Sequence, residues 1–202
     1  MILFFDTETT GLPDYRAPSD APQQPHLAQI ALLLQDEGGN DRGVVSMVIR
    51  PDGWTIPDDV AAIHGITQAR ALAEGIPESL AALLYKTYVE QCSIRVAHNE
   101  SFDRRIMRIA MLRSGVTREE IEALEKRPHF CTCLAATPIV DLPPTEKMRA
   151  AGFKKPKAPK LEECIKHFFG EGLSGAHDAL VDVRACARVY FYLQSLKGGL
   201  AA

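Results

Sequence analysis

The 202-residue sequence predicts an α/β domain, a five-stranded sheet flanked by helices. Three observations carry that expectation. Strand patterns come first along the chain and then alternate with helical ones. The opening run Ile2-Leu3-Phe4-Phe5 is apolar at four successive positions, as in a strand buried on both faces in mid-sheet. Two later helical stretches carry apolar stripes that need a sheet to cover.

The elements follow in order. The first strand runs into Asp6 and Glu8, and Gly11-Leu12-Pro13 ends it. Residues 13–26 hold Pro18, Pro22 and Pro25 and read as an unusually long loop that lines a site or is an insertion. Residues 27–34 are the second strand, and Gly38-Gly39-Asn40 forms a hairpin turn into a third strand over 44–49, ended by Pro51. Short helical pieces at 58–63 and 67–73 flank His64-Gly65-Ile66-Thr67. Pro77 opens a helix to residue 89, because proline suits a first turn. Residues 93–97 are the fourth strand, and Asn99 is placed to cap a helix running to residue 114. A short helix at 118–126 precedes a fifth strand at 129–131. Residues 138–160, rich in Pro and Lys, are expected to form a mobile loop. Helices at 161–169 and 179–196 complete a single domain spanning 1–202.

Composition narrows the classes. No apolar run approaches the roughly 20 residues a membrane span needs, and a strand starting at residue 2 leaves no room for a signal peptide. Five scattered cysteines suit reduced thiols in a cytoplasm, and Cys131 and Cys133 lack the partners of a zinc set. A net charge of −3 argues against wrapping nucleic acid by bulk electrostatics, although Arg104, Arg105 and Arg108 cluster, as do Lys154, Lys155, Lys157 and Lys160. Those lysines sit in a Pro-punctuated loop a short distance before His177 and give it the character of a basic flap.

The chemistry concentrates on acids. Side chains two apart on a strand point the same way, so Asp6 and Glu8 emerge together at the strand's C-terminal end, where α/β sheets place ligands. Asp103 lies on the stripe of Ile106, Met107 and Ala110, and Asp182 on that of Ala185, Cys186, Val189, Leu193 and Leu196. A carboxylate on a buried stripe is costly without a partner. Four converging acids point to a dinuclear site, whose two cations about 4 Å apart stabilise attacking and leaving oxygens of a phosphoryl displacement. Oxygen ligands favour a hard cation such as Mg²⁺. His177, five residues before Asp182, must sit in the loop of Gly172, Ser174 and Gly175 to share that site, where a neutral imidazole can accept a proton from water.

Phe5-Asp6-Thr7-Glu8-Thr9-Thr10-Gly11-Leu12, His98-Asn99-Glu100-Ser101-Phe102-Asp103 and His177-Asp178-Ala179-Leu180-Val181-Asp182 resemble, in order, the three motifs of the DEDDh (DnaQ-like) 3′→5′ exonucleases. The resemblance implies a ribonuclease H-like fold with a central mixed five-stranded sheet. It also implies hydrolysis of nucleotides from a free 3′ end with two Mg²⁺ per site, for which Mn²⁺ substitutes. On that pattern Asp6, Glu8 and Asp182 hold the catalytic metal, Asp6 and Asp103 the second, and His177 is the general base. Thr9, Gly11 and Leu12 receive the terminal nucleotide, Phe102 packs near it, and His64 belongs to a segment common in this branch. His98 and Asn99 shape the strand-to-helix turn. Cys131-Thr132 departs from the Asp-Thr pair of many relatives, which bears on substrate contacts and not on the chemistry.

The expected substrate is DNA with single-stranded or frayed ends, with an exoribonuclease as the alternative. A phosphatase opening on D-x-D-x-T would have an aspartate where Glu8 stands and would leave the His177 motif unexplained. A non-catalytic nucleic-acid-binding domain would have lost an acid, and all four are present. A polymerase or other protein partner is possible but not indicated: a proofreading subunit would carry a tethering tail, and the chain stops at Gly198-Gly199-Leu200-Ala201-Ala202.

Overall fold

The computed structural model describes residues 1–198, so the residues after Gly198 in that C-terminal stretch lie outside the described residues. In chain order come strands β1 (Ile2–Thr9), β2 (Leu27–Gln35) and β3 (Asp41–Val48), then helices α1 (Asp58–His64), α2 (Gln68–Glu74) and α3 (Glu78–Gln91). Strand β4 (Ile94–Ala97) leads to α4 (Glu100–Arg113) and α5 (Arg118–Glu125). Strand β5 (His129–Cys131) is followed by α6 (Thr132–Val140), α7 (Glu146–Ala150), α8 (Leu161–Phe169) and α9 (Ala179–Gly198).

The strands form one mixed sheet in the order β3-β2-β1-β4-β5. β1 runs antiparallel to β2, with Phe4 opposite Leu33, and parallel to β4, with Phe4 opposite Val96. The apolar opening run therefore occupies the centre. Strand periodicity sends Leu3 and Phe5 to one face, where with Ile30 and Leu32 they pack on Tyr85 and Val89 of α3 and Ile106, Met107 and Ala110 of α4. Ile2 and Phe4 point to the other face, with Ala31 and Leu33, and meet Val183, Cys186 and Tyr190 of α9. α9 is also covered on its far side, since Ala185, Val189 and Leu193 pack against α6 and α8. Both acid-bearing helices are thereby fixed against the sheet from opposite sides.

Two sequence expectations need correction. Asn99 does precede α4, but its side chain makes no capping bond; its backbone is left-handed at φ 70°, a conformation asparagine tolerates better than most residues. Residues 138–160 are not one irregular loop: α6 continues through Pro138 to Val140, and Thr145 caps the short α7. The apolar stripe Ala136 and Val140, covered by α8 and α9, outweighs the punctuating proline. The five cysteines are free thiols, as expected. Among the described residues no helix is long and apolar enough to cross a membrane.

An unexpected polar strut underlies this frame. Arg95, in mid-β4, is 1% exposed and Glu100 is 2% exposed. The Arg95 Nε donates to Glu100 Oε1 at 3.1 Å, and its terminal nitrogens donate to the carbonyls of Leu124 (2.7 Å) and Glu125 (3.1 Å) at the end of α5. One buried guanidinium thus joins β4, the first turn of α4 and the last turn of α5, placing positive charge at a helix C-terminus. Arg95→Ala is expected to lower stability by about 3–5 kcal/mol, by leaving buried Glu100 with only the more exposed Arg104 beside it and the α5 carbonyls without their donor. Chemical denaturation measures this, and Arg95→Met combined with Glu100→Gln should restore part of the loss.

Candidate active site

The site forms where β1 ends. Asp6 and Glu8 continue the face of Ile2 and Phe4, which looks toward α9, and α9 brings Asp182 to them in its first turn. That turn is anchored twice. The Ala179 N–H donates to Gln29 Oε1 of β2 (3.2 Å), and Asp178 Oδ1 accepts from the Leu180 N–H (2.9 Å) as a helix cap. From the other side α4 delivers Asp103, 3% exposed. Its Oδ1 accepts both the Thr7 N–H (3.1 Å) and the Thr7 hydroxyl (2.8 Å), which locks α4 to β1 between the two strand acids.

His177 stands outside the helix, as its spacing from Asp182 requires. It has a left-handed backbone at φ 68°, two residues after Gly175 at φ 79°, and its N–H donates to Asp182 Oδ2 (3.0 Å). Glu8, His177 and Asp182 each bring one ligand atom to within 4.8 Å of the others. Asp182 Oδ1 is buried without a hydrogen-bond partner in the protein.

These carboxyls resist ionising together. Burial, then the charges of Asp103, Asp182 and Glu8, hold the Asp6 carboxyl well above the usual carboxylate range. Burial, then Asp182 and Asp103, push Glu8 up to about 8. Burial also raises Asp103 and Asp182, against the opposing hydrogen bonds from Thr7 and from the His177 N–H. Mutual repulsion, an orphaned carboxylate oxygen and an oxygen-rich donor set fit a divalent cation.

A cavity of 440 Å³ opens at this point, walled by Asp6, Asn99, His177 and Asp182 on one side and by Pro159, Leu161 and Leu173 on the other. His98 does more than shape a turn. Its Nδ1 lies 2.9 Å from Thr132 Oγ1 and its Nε2 3.0 Å from the Pro159 carbonyl, so it ties the end of β4 to the far wall. Lys160 lies in that wall, whereas Lys157 is committed to Glu163 (2.6 Å).

The remaining sequence-derived positions divide. The Thr9 hydroxyl donates to the Gly11 carbonyl (2.7 Å), shaping the turn that presents Leu12, which is 84% exposed. Gly11 has φ 155°, a conformation that L side chains rarely adopt, and a Cβ there would meet no protein atom within 4 Å. His64 ends α1 with Nδ1 accepting from the Ile66 N–H (3.1 Å), while its buried Nε2 has no hydrogen-bond partner. Burial lowers its proton affinity, the nearby Thr9 carbonyl opposes that effect, and His177 is close enough to add to it. Phe102 is half-buried against the α3–α4 core and does not line the cavity. Sequence reasoning did not single out Thr7, Gln29 or Asp178. Only Asp178 left a local signal, an aspartate immediately before an apolar-periodic run.

A mixed sheet with acids at the end of its central strand and on two flanking helices defines a ribonuclease H-like nuclease. The RNase_T family, described as "Exonuclease", matches residues 3–190, and the chain belongs to this exonuclease family, in its DEDDh (DnaQ-like) branch. Solved structures share the fold. Escherichia coli exonuclease I in complex with a dT13 oligonucleotide is 22% identical, with a TM-score of 0.73 over 98% of this chain and 42% of that one. Its zinc-bound form with single-stranded DNA is 21% identical (TM-score 0.73; 96% and 40% covered), and a product-bound exonuclease I is 20% identical (TM-score 0.71; 96% and 43% covered). The chain therefore spans about two fifths of the length of these structures. No curated protein sequence matches it.

The raised acids give the metal-free protein a definite pH dependence. Between about 4.5 and 8 the folded chain keeps a proton on Glu8 that the unfolded chain has released. Stability in EDTA should therefore fall as pH rises through that interval and level off above it. A divalent cation should oppose the decline, most strongly at the alkaline end. Thermal unfolding across pH, with EDTA and with Mg²⁺, measures both trends; an EDTA curve flat from pH 5 to 8 contradicts the crowding.

Proposed function

We propose that the chain is a 3′→5′ exonuclease acting on DNA with single-stranded or frayed 3′ ends, with two Mg²⁺ per site that Mn²⁺ can replace. The observation that carries this reading is the convergence of Asp6, Glu8, Asp103 and Asp182 around an orphaned carboxylate oxygen beside His177. Family membership supports hydrolysis, and the solved complexes with deoxyoligonucleotides support DNA over the RNA alternative. Two divalent cations held by Asp6, Glu8 and Asp182, and by Asp6 with Asp103, would supply charge stabilisation to both oxygens of the displacement.

The chain's own residues do the rest. Exposed Leu12, at the head of the Thr9–Gly11 turn, wedges against the terminal nucleotide, and Gly11 lets the backbone approach it. His64, beside the Thr9 carbonyl, and Phe102, half-buried on α4, complete the binding of the terminal nucleotide, Phe102 near its sugar or base. Pro159, Leu161 and Leu173 give the cavity an apolar wall for the terminal sugar or base. Lys154, Lys155 and Lys160 act as a basic flap beside it, while Lys157 is tied to Glu163. His177 takes the proton of the attacking water, and the freed 3′-hydroxyl of the shortened strand takes one up from solvent. A cytoplasmic location is consistent with the five free thiols.

The spacing of Glu8, His177 and Asp182 also favours a second reading, in which His177 is itself a ligand. One experiment separates the two. As a base, His177→Ala should keep Mg²⁺ affinity and lose about 10²–10⁴-fold in turnover; as a ligand it should lose Mg²⁺ affinity as well.

The decisive assay is digestion of matched end-labelled DNA and RNA, single-stranded and paired, with Mg²⁺. Release of mononucleotides from the 3′ end, fastest on single-stranded DNA and abolished by EDTA, is the expected result. Cleavage that resists EDTA sinks the metal reading, and preferred digestion of RNA sinks the substrate reading. Asp6→Asn, Glu8→Gln, Asp103→Asn and Asp182→Asn should each reduce activity by orders of magnitude. In EDTA the same variants should melt no lower than the parent, because each relieves repulsion.

A further inference from the structure

We propose that a second pocket, beside the acid cluster, binds backbone phosphates of the substrate strand upstream of its terminal nucleotide, with Tyr15 stacking on a base. This inference rests on the nuclease reading and adds to it a landing site for the strand. The pocket measures 390 Å³ and is lined by Tyr15, Ser101, Arg104, Arg105, Arg108 and Glu125. On α4 the residues at 101, 104, 105 and 108 follow steps of three and four, so they form one polar stripe, about 10 Å long at 1.5 Å per residue. Asp103 leaves the same helix toward the acids. α4 thus presents carboxylate to the reaction centre and guanidinium along a neighbouring stripe.

The second element at the pocket also comes from the site. Tyr15 lies three residues after Leu12 on the β1–β2 loop and is 65% exposed. That loop is pinned to α4 and the start of α5. The Arg105 Nη2 donates to the carbonyls of Ala17 (2.7 Å) and Asp14 (3.3 Å), Arg113 donates to Pro25 and Gln24, and Arg118 pairs with Asp20. The Arg105 guanidinium stands 5.9 Å from the Tyr15 ring centre. Loop and helix therefore run together from the acid cluster to the pocket, a continuous route for a strand whose last nucleotide sits on Leu12.

Charge supports a phosphate occupant. Arg108 forks onto Glu125, with Nε to Oε1 at 2.8 Å, and the Arg104 Nε lies 3.3 Å from Glu100, which Arg95 already matches. The pocket itself holds the guanidinium groups of Arg104, Arg105 and Arg108 against one carboxylate, Glu125, a local excess of positive charge on a chain whose net charge is −3. Guanidinium groups suit phosphate by geometry as well as by charge. Contacts of this kind carry no sequence information.

The test uses single-stranded deoxyoligonucleotides from two nucleotides upward, with Arg104→Gln, the double variant Arg104→Gln/Arg108→Gln, Tyr15→Ala and Tyr15→Phe. KM of the parent should fall with length and then level, while the arginine variants keep kcat and the dinucleotide KM but lose most of that gain. Binding to a fluorescent oligonucleotide in EDTA, which needs no turnover, should weaken in parallel, with a log–log salt slope smaller by about 0.7 per lost contact. Tyr15→Ala should weaken binding about fivefold or more, and Tyr15→Phe should restore it. Circular dichroism checks folding of each variant, and the single Arg104→Gln spares the Arg108–Glu125 fork that steadies α5. Length profiles and salt slopes identical to the parent overturn the proposal. Absence of hydrolysis by the parent at every length defeats the nuclease reading instead, and the binding arm still decides whether this pocket holds the strand.

Discussion

Asp6 and Glu8 leave β1 on one face while Asp103 and Asp182 arrive from helices on opposite sides of the sheet, and the charges of the two helix acids raise the proton affinity of the two strand acids. Repulsion of this kind would push an isolated strand end apart. It is resisted here because β1 is hydrogen-bonded on both edges and covered on both faces by apolar side chains. The hydrophobic core thus opposes an electrostatic penalty localised at one end of one strand. A divalent cation removes that penalty, so the arrangement that is costly without metal is ready to receive it.

Several smaller devices hold the geometry against that stress. Thr7 ties Asp103 to the strand with two hydrogen bonds, Gln29 and Asp178 hold the start of α9, and the Arg95–Glu100 strut stiffens the start of α4. None of these groups carries out chemistry in the reading given above. Their role is positional, and buried polar networks serve it well because every partner is fixed in direction as well as distance.

Much of this was legible in the sequence because it leaves a local trace. The apolar run at residues 2–5 implied a central strand, and acids interrupting apolar stripes at 103 and 182 implied convergence on a common point. The four acids and His177 do come together. What was not legible depends on partners remote in the chain. Arg95 reads as an ordinary strand residue until α5 brings its carbonyls over it, and Gln29 as a surface alternation until α9 docks. Residues 138–160 read as a loop because Pro and Lys were weighed locally, without α8 and α9 to cover Ala136 and Val140. The Asn99 cap failed for a related reason: the tight strand-to-helix turn demands a backbone conformation, and that demand takes precedence over a side-chain bond.

Asn99 and His177 share one feature, a left-handed backbone at a non-glycine residue, and they wall the same cavity. Such conformations cost roughly 1–2 kcal/mol each. Glycine would relieve that cost at either position, but at 177 it would delete the imidazole. Selection for thermal robustness alone should therefore drift toward His177→Gly, which would also remove the ring that lies beside Glu8 and Asp182. Any effort to harden this scaffold would best begin elsewhere, on the outer helices, and leave these two bends as they are.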